Sequence, residues 1–176
     1  MSCRTPNPIG SASIDAFDNG VTTNAPSSVA AGSNFQVEMT ADPIEVPTSG
    51  GGQTILHLTN VKIRFDIPAN SSFVSATVAG GSNLGAGTPT VAQVGNQIVL
   101  TVPGQLAAGT TANLPTVTAT LQATGAPGST IETQMSGTGY SDPGITWTTT
   151  IQLFGITANS SCYAPVNPVL STTDIT

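Results

Sequence analysis

Residues 54–67 read Thr-Ile-Leu-His-Leu-Thr-Asn-Val-Lys-Ile-Arg-Phe-Asp-Ile and are closed by Pro68. From Val61 the stretch alternates: Val61, Ile63, Phe65 and Ile67 share one side, Lys62, Arg64 and Asp66 the other. Successive side chains of a strand point to opposite faces, so this pattern predicts a half-buried strand with a charged outer face. Its first half, Ile55, Leu56 and Leu58, does not share that parity. A bulge near Thr59-Asn60 would return both halves to one core face. The stretch also carries two of the three basic residues and the only histidine. It is expected to be the central strand of a two-sheet sandwich.

The rest of the chain keeps the same two-residue rhythm. Ser11 to Phe17 predicts a first strand, with Ile14 and Ala16 opposite Asp15 and Phe17, then a turn at Asp18-Asn19-Gly20. Phe35, Val37 and Met39 face inward against Gln36, Glu38 and Thr40, and Pro43 and Pro47 break up the continuation of that strand, which suits an edge. Thr48 to Gln53, with three glycines, predicts a flexible tip. Phe73 to Val78 is a short strand with Val74, Ala76 and Val78 on one side. Thr90–Val94 and Gln97–Val102 form a hairpin about Gly95-Asn96, stopped at Pro103-Gly104. Gln105 to Leu114 allows a helical turn at most. Val117, Ala119, Leu121 and Ala123 lie inside the next strand, Ile131, Thr133 and Met135 inside another. Ile145 to Phe154 is the last long strand, with Trp147, Ile151 and Leu153 on one face. No segment sustains a 3.6-residue period, so about nine strands predict an all-β, antiparallel Greek-key sandwich with little or no helix. One domain is expected over residues 1–158, including an N-terminal lead-in. A tail, 159–176, is pinned near Cys162 and frayed at its end.

Whole-chain chemistry narrows the function. The 176 residues are enough for one real core. Charged residues make up only 7%, and three Lys and Arg stand against nine Asp and Glu, for a net charge of −6. Nucleic-acid binding needs clustered cations to displace counterions from phosphate, and docking on anionic lipid has the same need; neither is expected. No apolar run is long enough to span a bilayer. The abrupt Met1-Ser2-Cys3 start suggests a mature region from which an export signal has been removed. Cys3 and Cys162 lie near opposite ends, and an even pair in a turn-rich, charge-poor chain favours a disulfide in an exported protein. Bridging requires Cα atoms within roughly 7 Å, which spacing alone does not give. Two free thiols, or a lipid-modified Cys3 with Cys162 left over, are the alternatives.

The middle of the chain has a cadence of its own: Ile63-Arg-Phe-Asp-Ile-Pro-Ala-Asn-Ser-Ser-Phe-Val-Ser-Ala-Thr77, Val99-Leu-Thr-Val102, Gln105-Leu-Ala-Ala-Gly109 and Val117-Thr-Ala-Thr-Leu-Gln-Ala-Thr-Gly125. Over roughly residues 25 to 140 this resembles the immunoglobulin-like repeat domains of bacterial cell-surface proteins. The Ala/Thr/Gly/Pro-rich, lysine-poor composition is similar to secreted sandwich proteins of actinobacteria. The resemblance implies an immunoglobulin-like sandwich, an envelope location and a structural or adhesive role. It carries over no functional residue. The terminal cysteines and the lone unit depart from the tandem pattern.

Candidate chemistry is sparse. His57 has no paired nucleophile and fits a satisfied structural imidazole. Glu38, Glu45, Asp66, Glu132 and Asp142 could supply paired carboxylates, but none stands in a motif, and solvated faces account for them. Asp15, Asp18 and Asn19 offer oxygen donors of the kind calcium takes, yet their spacing suits an ordinary Asx turn. Lys62 invites a lysine–asparagine isopeptide crosslink; that chemistry wants a buried lysine beside a carboxylic acid, and Lys62 has outward parity. Trp147 has inward parity and is expected to plug the core, while Tyr140 and Tyr163 make a thin platform for a sugar. No catalytic residue, metal ligand or cofactor is therefore assigned. The expectation is a non-enzymatic, secreted or surface-displayed module. Its partner would be a protein or envelope component, with self-association through sheet edges. The alternative is an apolar-ligand carrier with a cavity between its sheets.

Overall fold

In the computed structural model, residues 1–6 and 20–176 are described in full and residues 13–16 by their backbone. The side-chain parity expected for Ser11–Phe17, the turn at Asp18-Asn19 and the oxygen donors Asp15, Asp18 and Asn19 lie outside the fully described residues. Among the described residues every regular element is a strand. Numbered in chain order, the large sheet runs β10 (Thr90–Val94), β11 (Gln97–Ala107), β8 (Gln53–Asp66), β15 (Ile145–Ile151), β16 (Thr157–Tyr163), β1 (Ser2–Thr5) and β2 (Ser13–Ala16), with β7 (Ser49–Gly50) paired to β8. The second sheet runs β3 (Val21–Asn24), β5 (Asn34–Ala41), β13 (Thr116–Ala123) and β9 (Ser71–Ala79). A third joins β14 (Thr130–Thr133), β17 (Ser171–Ile175) and β4 (Ser28–Val29), and β12 (Thr111–Ala112) pairs with β6 (Ile44–Glu45). Seventeen strands among the described residues replace the expected nine, because several are two-residue pairings too short to leave a period in the sequence.

One core joins the sheets. Val61, Ile63, Phe65, Leu100 and Val102 of the large sheet pack with Phe35, Val37, Met39, Val117 and Leu121 of the second. The alternation expected for Phe35 to Met39, Val117 to Ala123 and Ile131 to Met135 is borne out, each inward residue being buried.

Residues 54–67 do form the central strand. β8 pairs with β11 on one side and β15 on the other. Against β15 the register slips between Thr146 and Thr148, where β8 carries an extra residue beside Asn60, itself at φ 51°. This is the expected bulge. A second slip comes between Thr150 and Ile151, opposite Leu56. Two bulges bring Ile55, Leu58, Val61, Ile63 and Phe65 to the core, and leave Leu56 outside at 42% exposure.

Other expectations are corrected. β11 does not stop at Pro103-Gly104 but continues to Ala107, so no helical turn forms there. Pro103 lies beyond Thr101, the last partner of β10, where one side of the strand is an edge and proline is tolerated. Gly104, at φ 84°, lets the backbones meet closely: a Cβ there would lie 2.7 Å from the Leu58 carbonyl oxygen. In β9 a bulge at Val74 turns that residue outward, leaving Phe73, Ala76 and Val78 against the core. The glycine-rich tip is a tight hairpin, with Ser49 and Gly50 paired to Thr54 and Gln53. β15 ends at Ile151, and Leu153 and Phe154 occupy the turn into β16 instead of a strand face. The tail end is not frayed. β17 pairs antiparallel with β14 and parallel with β4, and Ile175 is buried. Polar Ser171-Thr-Thr-Asp hides this, since only Thr173 and Ile175 face inward.

Candidate polar groove on the large sheet

The outer face of the large sheet is built by the same alternation that buries its inner face. Lys62 and Arg64 lie between Val61, Ile63 and Phe65, which point into the core. Thr146 comes after the buried Ile145, Ser161 before the buried Cys162, and Arg4 after the buried Cys3. The register then sets these outward residues in one row across four strands: Arg4 opposite Ser161, Ser161 opposite Thr146, Thr146 opposite Lys62. Arg64 stands two residues further along β8. All three cations of a chain with a net charge of −6 therefore share one face.

Two of them, Lys62 and Arg64, border a shallow groove of about 260 Å³ over β8, β15 and β16, while Arg4 stands outside it, one strand beyond Ser161. Lys62 and Arg64 form one wall, and Thr146, Thr148, Asn159 and Ser161 supply hydroxyls and an amide. Arg64 donates from one guanidinium nitrogen to the Pro143 carbonyl oxygen at 2.8 Å, which fixes its head group. Thr148 Oγ1 donates to Asn159 Oδ1 at 2.9 Å, so the Asn159 Nδ2 remains a donor. Among the described residues Arg4, Lys62 and Arg64 form no ion pair, and Arg4 and Lys62 make no side-chain hydrogen bond. Unneutralised cations beside hydroxyl and amide groups make a surface suited to an anionic, oxygen-rich ligand.

Cys3 and Cys162, expected to bridge, form a disulfide with Cα atoms 4.1 Å apart, joining β1 to β16. His57 is partly buried opposite Ala107 and Thr150, and its imidazole makes no hydrogen bond among the described residues, so the expected satisfied imidazole is left to solvent. Glu38, Glu45, Asp66, Glu132 and Asp142 are all exposed and belong to different strands and a turn. Asp66 accepts a hydrogen bond from the Ser136 hydroxyl. Among the described residues no three His, Cys, Asp or Glu gather. Lys62 lies near Asn60 and Asn159 in the groove, but no carboxylic acid lines it, so the third group of an isopeptide crosslink is missing there. Trp147 packs against the core only partly buried, its indole N–H donating to Thr149 Oγ1 at 3.1 Å; it edges the core and does not plug it. Tyr140 and Tyr163 meet edge to face, centroids 5.1 Å apart, with the Tyr140 hydroxyl 2.7 Å from Ser2 Oγ. Perpendicular rings do not make a flat platform. Between the sheets, where the carrier alternative requires open space, Phe65, Ile63, Leu100, Leu121 and Val37 are fully buried. Parity in the sequence places Lys62 and Arg64 on one face but misses Arg4, whose register needs three strand pairings that no local pattern reveals.

No protein-family profile matches the chain, and no curated protein does. Among solved structures, a Corynebacterium diphtheriae protein named for an inferred membrane anchor superposes with a TM-score of 0.66 at 18% identity. The match covers 99% of this chain but 36% of that one, so this chain spans about a third of its length. A cohesin module from a Clostridium perfringens family 33 glycoside hydrolase aligns over 89% of this chain and 96% of the module, at 11% identity and a TM-score of 0.43. At 18% identity the Corynebacterium likeness shows the fold alone, and the fold of this chain is an all-β, immunoglobulin-like antiparallel sandwich.

Proposed function

We propose that this protein is a non-enzymatic, exported module of a bacterial, and more narrowly actinobacterial, cell envelope, and that it works by binding through the outer face of its large sheet. One observation carries the proposal: Arg4, Lys62 and Arg64, the only Lys and Arg of an acidic chain, converge on one face without ion-pair partners among the described residues. The disulfide supports an oxidising compartment. The membrane anchor in the name of the Corynebacterium structure supports an envelope setting. The dispersal of the exposed carboxylates supports binding over turnover.

The test is cosedimentation with envelope fragments from the organism that makes the protein. The wild-type chain is expected to pellet with the fragments. A variant carrying Arg4→Gln, Lys62→Gln and Arg64→Gln is expected to stay in the supernatant. Glu38→Gln, on the outer face of the second sheet, is expected to pellet like wild type. Equal pelleting of the triple variant would remove the outer face from the mechanism.

A further inference from the structure

The groove's chemistry narrows its ligand beyond a generic envelope contact, and this step rests on the function proposed above. Neighbouring strands lie about 4.8 Å apart and alternate residues along a strand about 7 Å. Arg4 and Lys62, at the ends of a four-strand row, are therefore about 14 Å apart at the backbone, with Arg64 about 7 Å from Lys62 along β8, at right angles to the row. Between Arg4 and Lys62 lie the hydroxyls of Ser161 and Thr146, with Thr148 and Asn159 beside them on the side of the row away from Arg64. A compact anion would engage one end only. An extended ligand with repeated negative charge would engage both, provided it also offers hydroxyls to the polar floor.

We infer that this face binds a segment of acidic polysaccharide, laid from the groove at Lys62 and Arg64 across β15 and β16 to Arg4, with its anionic groups against the cations at both ends. Hydroxyls both donate and accept, so a sugar chain answers the Thr, Ser and Asn floor in either sense. The lining is Thr, Ser and Asn apart from Trp147, and an aromatic surface among hydroxyls also suits the apolar face of a sugar ring. A nucleic-acid strand depends on clustered cations along its whole backbone, and this chain has three Lys and Arg in all, so the oligonucleotide is the competing arm of the titration. The anion is a uronate carboxylate or a phosphodiester; both meet the same cations.

The experiment is calorimetric titration of the disulfide-bonded full chain with a short oligogalacturonate, a short poly(glycerol phosphate), neutral dextran, poly-glutamate and a single-stranded oligonucleotide, at low and high salt. At least one of the two acidic glycan probes is expected to bind, weakening as salt rises. Binding of oligogalacturonate alone identifies the carboxylate, of poly(glycerol phosphate) alone the phosphodiester, and of both a site that reads charge and hydroxyls together. The Arg4→Gln/Lys62→Gln variant removes two cations that make no side-chain hydrogen bond among the described residues, and should weaken binding about tenfold. Adding Arg64→Gln should deepen the loss, while Glu38→Gln leaves affinity unchanged. Four results would overturn the inference: no acidic glycan bound at low salt, binding indifferent to the double variant, dextran bound as tightly, or poly-glutamate or the oligonucleotide bound more tightly. If envelope cosedimentation still depends on the three cations after such a result, only the ligand class falls; if it does not, the binding face falls too.

Discussion

Phe154 occupies the turn between β15 and β16 at φ 55° and is 91% exposed. Its ring buries almost no area, and its backbone sits where an L-residue with a bulky side chain is strained by about 1–2 kcal/mol. Asparagine tolerates that region far better. Phe154→Asn is therefore expected to stabilise the protein by about 1 kcal/mol, a rise of roughly 2–4 °C in Tm for a chain of this size. A lower Tm in differential scanning calorimetry would show that the ring makes a contact worth more than the strain.

At the level of the element, β8 decides the fold through the position of its bulges. Counting back by twos from Val61 puts Leu58 on the wet face, whereas the two slips against β15 bury it at 3% exposure and expel Leu56. Leu58→Ala should cost about 2–5 kcal/mol of unfolding free energy, while Leu56→Ala should stay within about 0.5 kcal/mol. Urea unfolding of the two variants checks this, and equal losses would refute the register. The same strand shows how much of the fold is legible in the residues alone. The broken parity between Leu58 and Val61 announces a bulge, because a two-residue period leaves no other way to bury both halves. The second bulge leaves no such mark, since Ile55-Leu56 offers two apolar residues and only pairing with β15 chooses between them. Val74 in β9 is misplaced by parity for that reason too. β17 escapes notice because Thr173 and Ile175 are too short a pattern to stand out from a polar tail. Of the groove, Lys62 and Arg64 can be put on one face from parity alone. Arg4 cannot, because its place depends on β1, β16 and β15 stacking in register, which is long-range information.

For the whole molecule, the Cys3–Cys162 disulfide closes a loop with a sequence separation of 159, and both cysteines are buried. The loop-entropy model gives about 5 kcal/mol for a loop this long, an upper figure. Replacing both with alanine is expected to lower Tm by up to roughly 10–20 °C. The groove should suffer as well, since Arg4 adjoins Cys3 and is held in its row by β1 alone. A double variant that melts with wild type would mean that β1 and β16 hold together without the sulfurs.

That crosslink also fixes how the molecule answers a pull. Tension applied at residue 3 and drawn from the C-terminal end first peels β17 from β14 and β4, then passes through the sulfurs and leaves the other enclosed sheets unloaded. Only the segment after Cys162, including β17, is free to lengthen. Strung in a tether, the body would behave as a bead clipped to the line at one point, and its cation row would keep its spacing while the line is taut.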